Sequence, residues 1–218
     1  DVWLIKTDSQ GQEEWNQTFG GIDQNDSEIG NSVQKTTDGG YIISASSGYY
    51  TDNNYRRDAL LIKTDYEGNE VWSKIMDRSD FIPHENDIDD YGYSVQQTSD
   101  DGYLMGGRTE CVNEYYGEDN YTSDCLWLLK TNSEGEIIWN ETFEHYFQHG
   151  IQTLDNEYVA VGSVCGLDYG WCYGGSLLYA MKTDLNPGCT DDNACNYDPD
   201  AVLDDGNCFY YGACDCEG

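Results

Sequence analysis

The sequence predicts an all-β protein built from repeated four-stranded antiparallel sheets, and three observations predict it. One short phrase occurs four times: Val2-Trp-Leu-Ile-Lys-Thr-Asp8, Ala59-Leu-Leu-Ile-Lys-Thr-Asp65, Leu126-Trp-Leu-Leu-Lys-Thr-Asn132 and Leu177-Leu-Tyr-Ala-Met-Lys-Thr-Asp184. A second phrase falls between these copies: Ser32-Val-Gln-Lys-Thr-Thr-Asp-Gly-Gly-Tyr-Ile-Ile43, Ser94-Val-Gln-Gln-Thr-Ser-Asp-Asp-Gly-Tyr-Leu-Met105 and the worn copy Gly150-Ile-Gln-Thr-Leu-Asp-Asn-Glu-Tyr-Val-Ala160. Between turn residues the apolar side chains alternate, as half-buried strands require. Self-similarity at roughly fifty to sixty residues marks a repeat architecture. A repeat of short strands and turns points to β-propeller blades.

The elements follow in order. In the second full repeat four strands are expected at about 93–98, 103–108, 126–131 and 137–143, from their apolar alternation. Ser99-Asp-Asp-Gly102 joins the first pair as a tight turn. Thr131-Asn-Ser-Glu-Gly135 joins the last pair, with Gly135 at the expected positive-φ position. A long loop holding Cys111 and Cys125 is expected between the pairs. The second and third strands are the most apolar, so they belong at the sheet centre, buried on both faces. Trp139 on the outermost strand is placed to cover the neighbouring repeat.

Thirteen strands result: two at the N-terminus, two complete repeats, then three. That amounts to about four blades, the first and last incomplete. Joining the ends would duplicate a third strand and leave three blades, too tight for a ring. The chain then belongs to a larger propeller, forms a four-bladed ring with incomplete edge blades, or is completed by a neighbouring molecule. Open sheet edges invite strand addition, so self-association through the incomplete blades is expected.

Composition narrows the partners. Among 218 residues there are 42 acidic and 10 basic side chains, for a formal charge of −32. Nothing here neutralises a run of phosphates, so nucleic acid is excluded as a partner. An anionic membrane surface is excluded on the same ground, and no apolar run is long enough to insert in a bilayer. The charge favours divalent cations, high salt or a basic partner; it also simply keeps an extracellular protein soluble. Disorder is not expected, because aromatic residues make up 14%, with 19 Tyr and 6 Trp. No leader peptide is visible and the chain starts inside a repeat. Either processing removed a leader, or these residues belong to a longer protein.

Nine Cys are present. Cys111 with Cys125, and Cys165 with Cys172, bracket equivalent loops one repeat apart. Such pairs read as disulfides in an oxidising compartment. Four sequons, at Asn16, Asn25, Asn120 and Asn140, mark candidate glycosylation sites of a surface protein.

The order Ser-Val-x-x-Thr-x-Asp-Gly-Gly-Tyr-Ile-Ile, then Leu-Ile-Lys-Thr-Asp-x-x-Gly-Asn-x-x-Trp, resembles the β-propeller repeats of bacterial and archaeal secreted and cell-surface proteins. The resemblance covers residues 1–184 and implies a fold, not an activity. Residues 185–218 form a second unit. Within it, Gly188-Cys-Thr-Asp-Asp-Asn-Ala-Cys-Asn-Tyr-Asp-Pro-Asp-Ala-Val-Leu-Asp-Asp-Gly-Asn-Cys208 resembles an acidic Cys-rich module found near the C-termini of secreted bacterial and archaeal proteins. Many relatives carry a further Cys near position 203, where this chain has Leu203, so the partner of Cys195 stays open. Cys189 and Cys208 are expected in disulfides.

Hard oxygen ligands in a short, cross-linked, Gly-containing loop suit Ca²⁺. The candidate ligands are Asp191, Asn193, Asn196, Asp198, Asp204 and Asp205; the bland reading is an acidic linker held by disulfides. A module with so small an aliphatic core needs cross-links or a metal. Asp23, Asp26 and Glu28, and Asp87, Asp89 and Asp90, precede the first strand of each full repeat, where an acidic loop is the simpler reading than an ion site.

No nucleophile elbow, phosphate loop or zinc signature is present, and carboxylates are too abundant for any pair to mark a glycosidase. His84, His145 and His149 read as surface or packing residues. The expectation is a non-enzymatic extracellular structural protein that assembles into a surface layer, matrix or filament, stabilised by Ca²⁺ and disulfides. The alternative is a carbohydrate-binding adhesin using exposed Tyr and Trp, such as Tyr49-Tyr50, Tyr115-Tyr116 and Tyr210-Tyr211.

Overall fold

The computed structural model describes residues 1–20, 27–50, 55–77, 89–113, 121–143, 151–154, 157–164, 177–183, 187–189, 191, 193–198, 203–204 and 208. These residues form strands and turns, and no helix among them is long and apolar enough to cross a membrane.

The strands fall in the expected phase. β1 (Val2–Thr7) and β2 (Glu13–Phe19) make a two-stranded first sheet. β3 (Ser27–Lys35), β4 (Tyr41–Tyr50), β5 (Tyr55–Thr64) and β6 (Glu70–Met76) make the second, an antiparallel meander. β7 (Tyr91–Gln97), β8 (Tyr103–Asn113), β9 (Tyr121–Thr131) and β10 (Ile137–Phe143) make the third in the same order. β11 (Ile151–Leu154), β12 (Glu157–Val164) and β13 (Leu177–Thr183) make a three-stranded fourth sheet. β14 (Pro187–Gly188) and β15 (Leu203–Asp204) form a short parallel pair in the tail. Among the described residues the sheets do not close into a ring.

One element differs from the sequence reading. The stretch expected as a long Cys-bearing loop is largely strand, because β8 runs on to Asn113 and β9 starts at Tyr121. Cys111 lies opposite Ser123 in this ladder, and Cys125 lies opposite Thr109. The two cysteines are thus diagonal neighbours across paired strands. Alternating polar residues such as Thr109, Glu110, Ser123 and Asp124 continue the pleat, and this polarity is what made the segment read as loop.

The sheets stack face to face. Val2, Leu4 and Phe19 of the first sheet pack against Ile43, Ala45, Leu60 and Ile62 of the second. From the opposite face of the second sheet, Ile42, Ala59, Leu61 and Met76 pack against Val95, Tyr103, Met105, Trp127 and Leu129 of the third. Successive residues of β4 and β5 therefore serve two different apolar layers, which is why these central strands are nearly continuous in apolar character. The far face of the third sheet, with Leu104, Leu126 and Leu128, is buried as well.

The outer-strand Trp is a recurring link between sheets. Trp15 meets Tyr41 edge-on with ring centroids 5.8 Å apart, and Trp72 meets Tyr103 in the same way at 5.8 Å. Each indole also lies over the positive-φ Gly of the next sheet's last turn, Gly68 under Trp15 and Gly135 under Trp72. The repeated Gly, Tyr and Trp are thus one packing unit drawn from two consecutive repeats.

Candidate functional site

The Lys-Thr-Asp phrase is accounted for by structure. Lys63 Nζ lies 2.8 Å from Asp38 Oδ2 and donates to the Thr64 carbonyl at 2.8 Å. Lys130 repeats this with Asp100 at 2.9 Å and the Thr131 carbonyl at 2.8 Å. Each Lys is buried in the third strand of its sheet, and each Asp sits in the turn that joins the first two strands. The pair is therefore a latch that fixes the strand order. The Asp that follows Lys-Thr caps the last hairpin. Asp65 Oδ1 accepts from the backbone N–H of Glu67 and of Asn69 at 2.9 Å each, and Asp8 and Asn132 do the same in their own copies.

Burial opposes ionisation of Asp38, but the bonds from Lys63, Thr36 and the Gly40 N–H outweigh it and hold its pKa down at about 2. Asp100 is lowered as well, its burial outweighed by bonds from Thr98 and Lys130. A carboxylate depressed in the folded state adds stability that is full above its unfolded pKa and is lost as pH falls through the folded one. For Asp38 that window runs from about 4 down to about 2. The double variant Asp38→Asn, Asp100→Asn is expected to lose roughly 1–2 kcal/mol at pH 6, since both carboxylates are largely exposed and screened. Urea unfolding should show the gap to the parent shrinking below pH 4.

The feature that distinguishes the first sheet is an uncovered face. In the repeat, Trp3 and Ile5 stand where Leu60 and Ile62 stand in the second sheet and Trp127 and Leu129 in the third. All four counterparts are buried against the sheet that precedes their own, Trp127 completely. Trp3 is 63% exposed and Ile5 39% exposed. The indole N–H of Trp3 bonds Asn16 Oδ1 at 3.4 Å, as that of Trp127 bonds Asn140 Oδ1 at 3.3 Å. The ring is therefore held in the geometry of its buried counterpart. Two of the four sequon asparagines, Asn16 and Asn140, serve these indoles; Asn25 and Asn120 lie outside the described residues.

The tail has its own cross-links. Cys189 and Cys208 form a disulfide spanning 19 residues. A closed loop of that length restrains the unfolded chain and contributes about 3 kcal/mol in the chain-entropy picture. Cys125 and Cys195 are also disulfide-bonded. Cys165 and Cys172 lie outside the described residues, and Cys111 is described by its backbone.

Of the candidate calcium ligands, Asp191 shapes the turn: its Oδ1 accepts from the Asn193 N–H at 2.9 Å and from Asn193 Nδ2 at 2.9 Å. Asp198 N–H donates to the Cys189 carbonyl at 2.9 Å, which places Asp198 beside the disulfide. Asn196 lies between them in the same turn, Asp204 ends β15, and Asp205 is outside the described residues. Among the described residues no three His, Cys, Asp or Glu side chains converge on one metal position.

In the second acidic cluster, Asp89 accepts from the Arg57 N–H at 3.1 Å and lies 4.0 Å from the Arg56 guanidinium. Asp90 is buried, with its N–H on the Arg57 carbonyl at 2.7 Å. Glu28 is paired with the N-terminal amine at 3.5 Å. Asp23, Asp26, Asp87 and the three His lie outside the described residues. What sequence reasoning missed is the Trp3 face, exposed in the first sheet although its counterparts Leu60 and Trp127 are buried.

No protein-family model and no curated protein sequence matches the chain.

Proposed function

We propose that this chain is a non-enzymatic structural protein of an extracellular surface layer, matrix or filament, in which sheets of neighbouring molecules stack as propeller-like blades do. The observation that carries the reading is the Trp3 and Ile5 face, apolar and open in the first sheet, where the second and third sheets are covered. Its natural complement is another sheet of this same repeat, and we assign that role to a second copy of the chain. The Cys189–Cys208 disulfide supports an oxidising location outside the cytoplasm.

Association has to overcome repulsion between molecules of charge −32. Ca²⁺ held by the tail carboxylates, or shared between molecules, is the cation we propose for that role. Each Lys-Asp latch and hairpin-capping carboxylate of the repeat is occupied in holding strands, so the repeated phrase offers no catalytic group.

Sedimentation of the parent chain with and without Ca²⁺ tests this. Large assemblies are expected with the ion. Trp3→Glu combined with Ile5→Glu should abolish them while leaving the melting temperature within about 2 °C, because exposed positions cost little. A parent that stays monodisperse at high concentration in Ca²⁺ would overturn the reading.

A further inference from the structure

The junction of the first and second sheets lacks contacts that the junction of the second and third sheets makes, and all of them belong to one element. The first is a strand edge. β5 and β9, the third strands of their sheets, pair on both sides, whereas β1 pairs with β2 alone among the described strands. The second is a latch. The side chains of Lys63 and Lys130 are 6% and 5% exposed, and each holds an Asp from the turn between the first two strands. Lys6, in the same place of the phrase, is 37% exposed and pairs with Glu14 of the outer strand β2. The third is apolar. Val95 of β7 shares a cluster with Ile42 of β4 and is 7% exposed. Val33, its counterpart in β3, is 53% exposed. A polar contact accompanies it: the Gln97 N–H donates to Gln34 Oε1 of the sheet before at 2.6 Å. Lys35 stands in that position in β3, opposite Tyr41 as Gln97 is opposite Tyr103.

One hairpin supplies all of these: a first and a second strand of the repeat, with Gln in the first, an apolar residue in the second and Asp in the turn. The β3–β4 and β7–β8 hairpins have this set, but each is held in a complete four-stranded sheet. The β11–β12 hairpin has it too. Ile151-Gln152 is followed by Asp155, three residues before Tyr158 as Asp38 and Asp100 are before Tyr41 and Tyr103, and then by Val159. Val159 lies opposite Lys182, as Ile42 lies opposite Lys63 and Leu104 opposite Lys130. The sheet of this hairpin has three strands, and β13 has no fourth strand beside it among the described residues. β1 is the same phrase as β13 and brings β2 with it. Exchange of β13 for the β1 of another molecule turns a three-stranded sheet into a four-stranded one and closes the open edge of β1.

We propose that the β11–β12 hairpin of a second copy docks at this junction, pairing β12 with β1 in the register it makes with β13. The inference rests on the assembly reading and names the element that joins the molecules. β11 lies beside β7 and β8. The same docking therefore brings the third sheet of the second copy to the side where Trp3 and Ile5 stand open, since their counterparts are covered by the preceding sheet.

The test is fluorescence anisotropy of a labelled synthetic peptide, Gly150–Val164, titrated with the full chain in the absence of Ca²⁺. Saturable binding of one peptide per chain is expected. Asp155→Asn in the peptide and Lys6→Met in the chain should each weaken it about 10-fold, and the two together no more than either alone, as one charge-assisted pair requires. Val33→Asp should weaken it about 10-fold by placing a charge in the apolar contact. Both chain variants should melt within about 2 °C of the parent, because exposed positions cost little, which separates docking from folding. Val71→Asp alters another exposed apolar position and should leave binding intact. Excess peptide should also reduce the Ca²⁺-dependent assemblies of the parent. Absence of saturable binding, or binding that neither Val33→Asp nor the Lys6 and Asp155 changes weaken, would overturn the inference. Assemblies that excess peptide leaves unchanged would overturn it while the assembly reading stands. A parent that stays monodisperse in Ca²⁺ overturns that reading, and the second copy as occupant with it.

Discussion

Trp127→Ala is expected to remove about 3–5 kcal/mol of folding stability, whereas Trp3→Ala should cost less than about 1 kcal/mol. The two residues occupy the same place in the repeat and make the same indole bond to an Asn. They differ in what covers them: Trp127 is fully enclosed by the second sheet, and Trp3 is 63% exposed. Truncating Trp127 leaves a cavity bordered by Ile42, Leu61 and Met105, whose strands are held by their ladders and cannot collapse into it. Truncating Trp3 leaves only a shallower surface. Urea unfolding of both variants at a protein concentration that keeps the chain dispersed measures the contrast. Equal losses would show that the first-sheet face is covered in solution.

The second large effect is expected at Gly40 and Gly102. A Cβ at Gly40 would overlap the Thr64 carbonyl oxygen and come within 2.8 Å of Lys63 Nζ, and one at Gly102 would overlap the Thr131 carbonyl and Lys130 Nζ. Both obstacles belong to the latch, one of them backbone, so relief requires moving the third strand or expelling the Lys. Gly102→Ala should therefore cost about 3 kcal/mol or more. Gly11→Ala is the control: nothing lies within 4 Å of a Cβ there, and the cost is the positive φ alone, about 1 kcal/mol. Thermal unfolding of the two variants decides it; similar shifts would remove the latch as the explanation.

Much of this architecture was legible in the chain because the repeat displays the same local problem several times. The strand count and its phase, the Asp-x-x-Gly hairpins and the centrality of strands such as β4 and β5 are matters of local pattern and turn chemistry. The extension of β8 and β9 was not legible, since polar residues on a two-stranded projection carry no burial signal and resemble loop. The cleft between the second and third sheets was invisible for a different reason. Its walls come from the β3–β4 turn, β6, the start of β8 and the β9–β10 turn, and adjacency across sheets is a tertiary fact that no spacing encodes. Why Lys-Thr recurs was also opaque, because the partner of each Lys lies 25 or 30 residues upstream.

The face-to-face stacking of the sheets has a consequence for how the molecule comes apart. Each sheet draws its apolar contacts mainly from the one before and the one after, as in a linear array of coupled units. Free energy is then a sum of neighbour couplings, and the unit with one covered face is the weakest link. The first sheet, covered on one face, opens before the second and third, which are buried on both. Adding a unit at the terminus does more than lengthen such an array. It converts the most labile member into an interior one, so that growth of the array and rigidity of each chain within it are the same event.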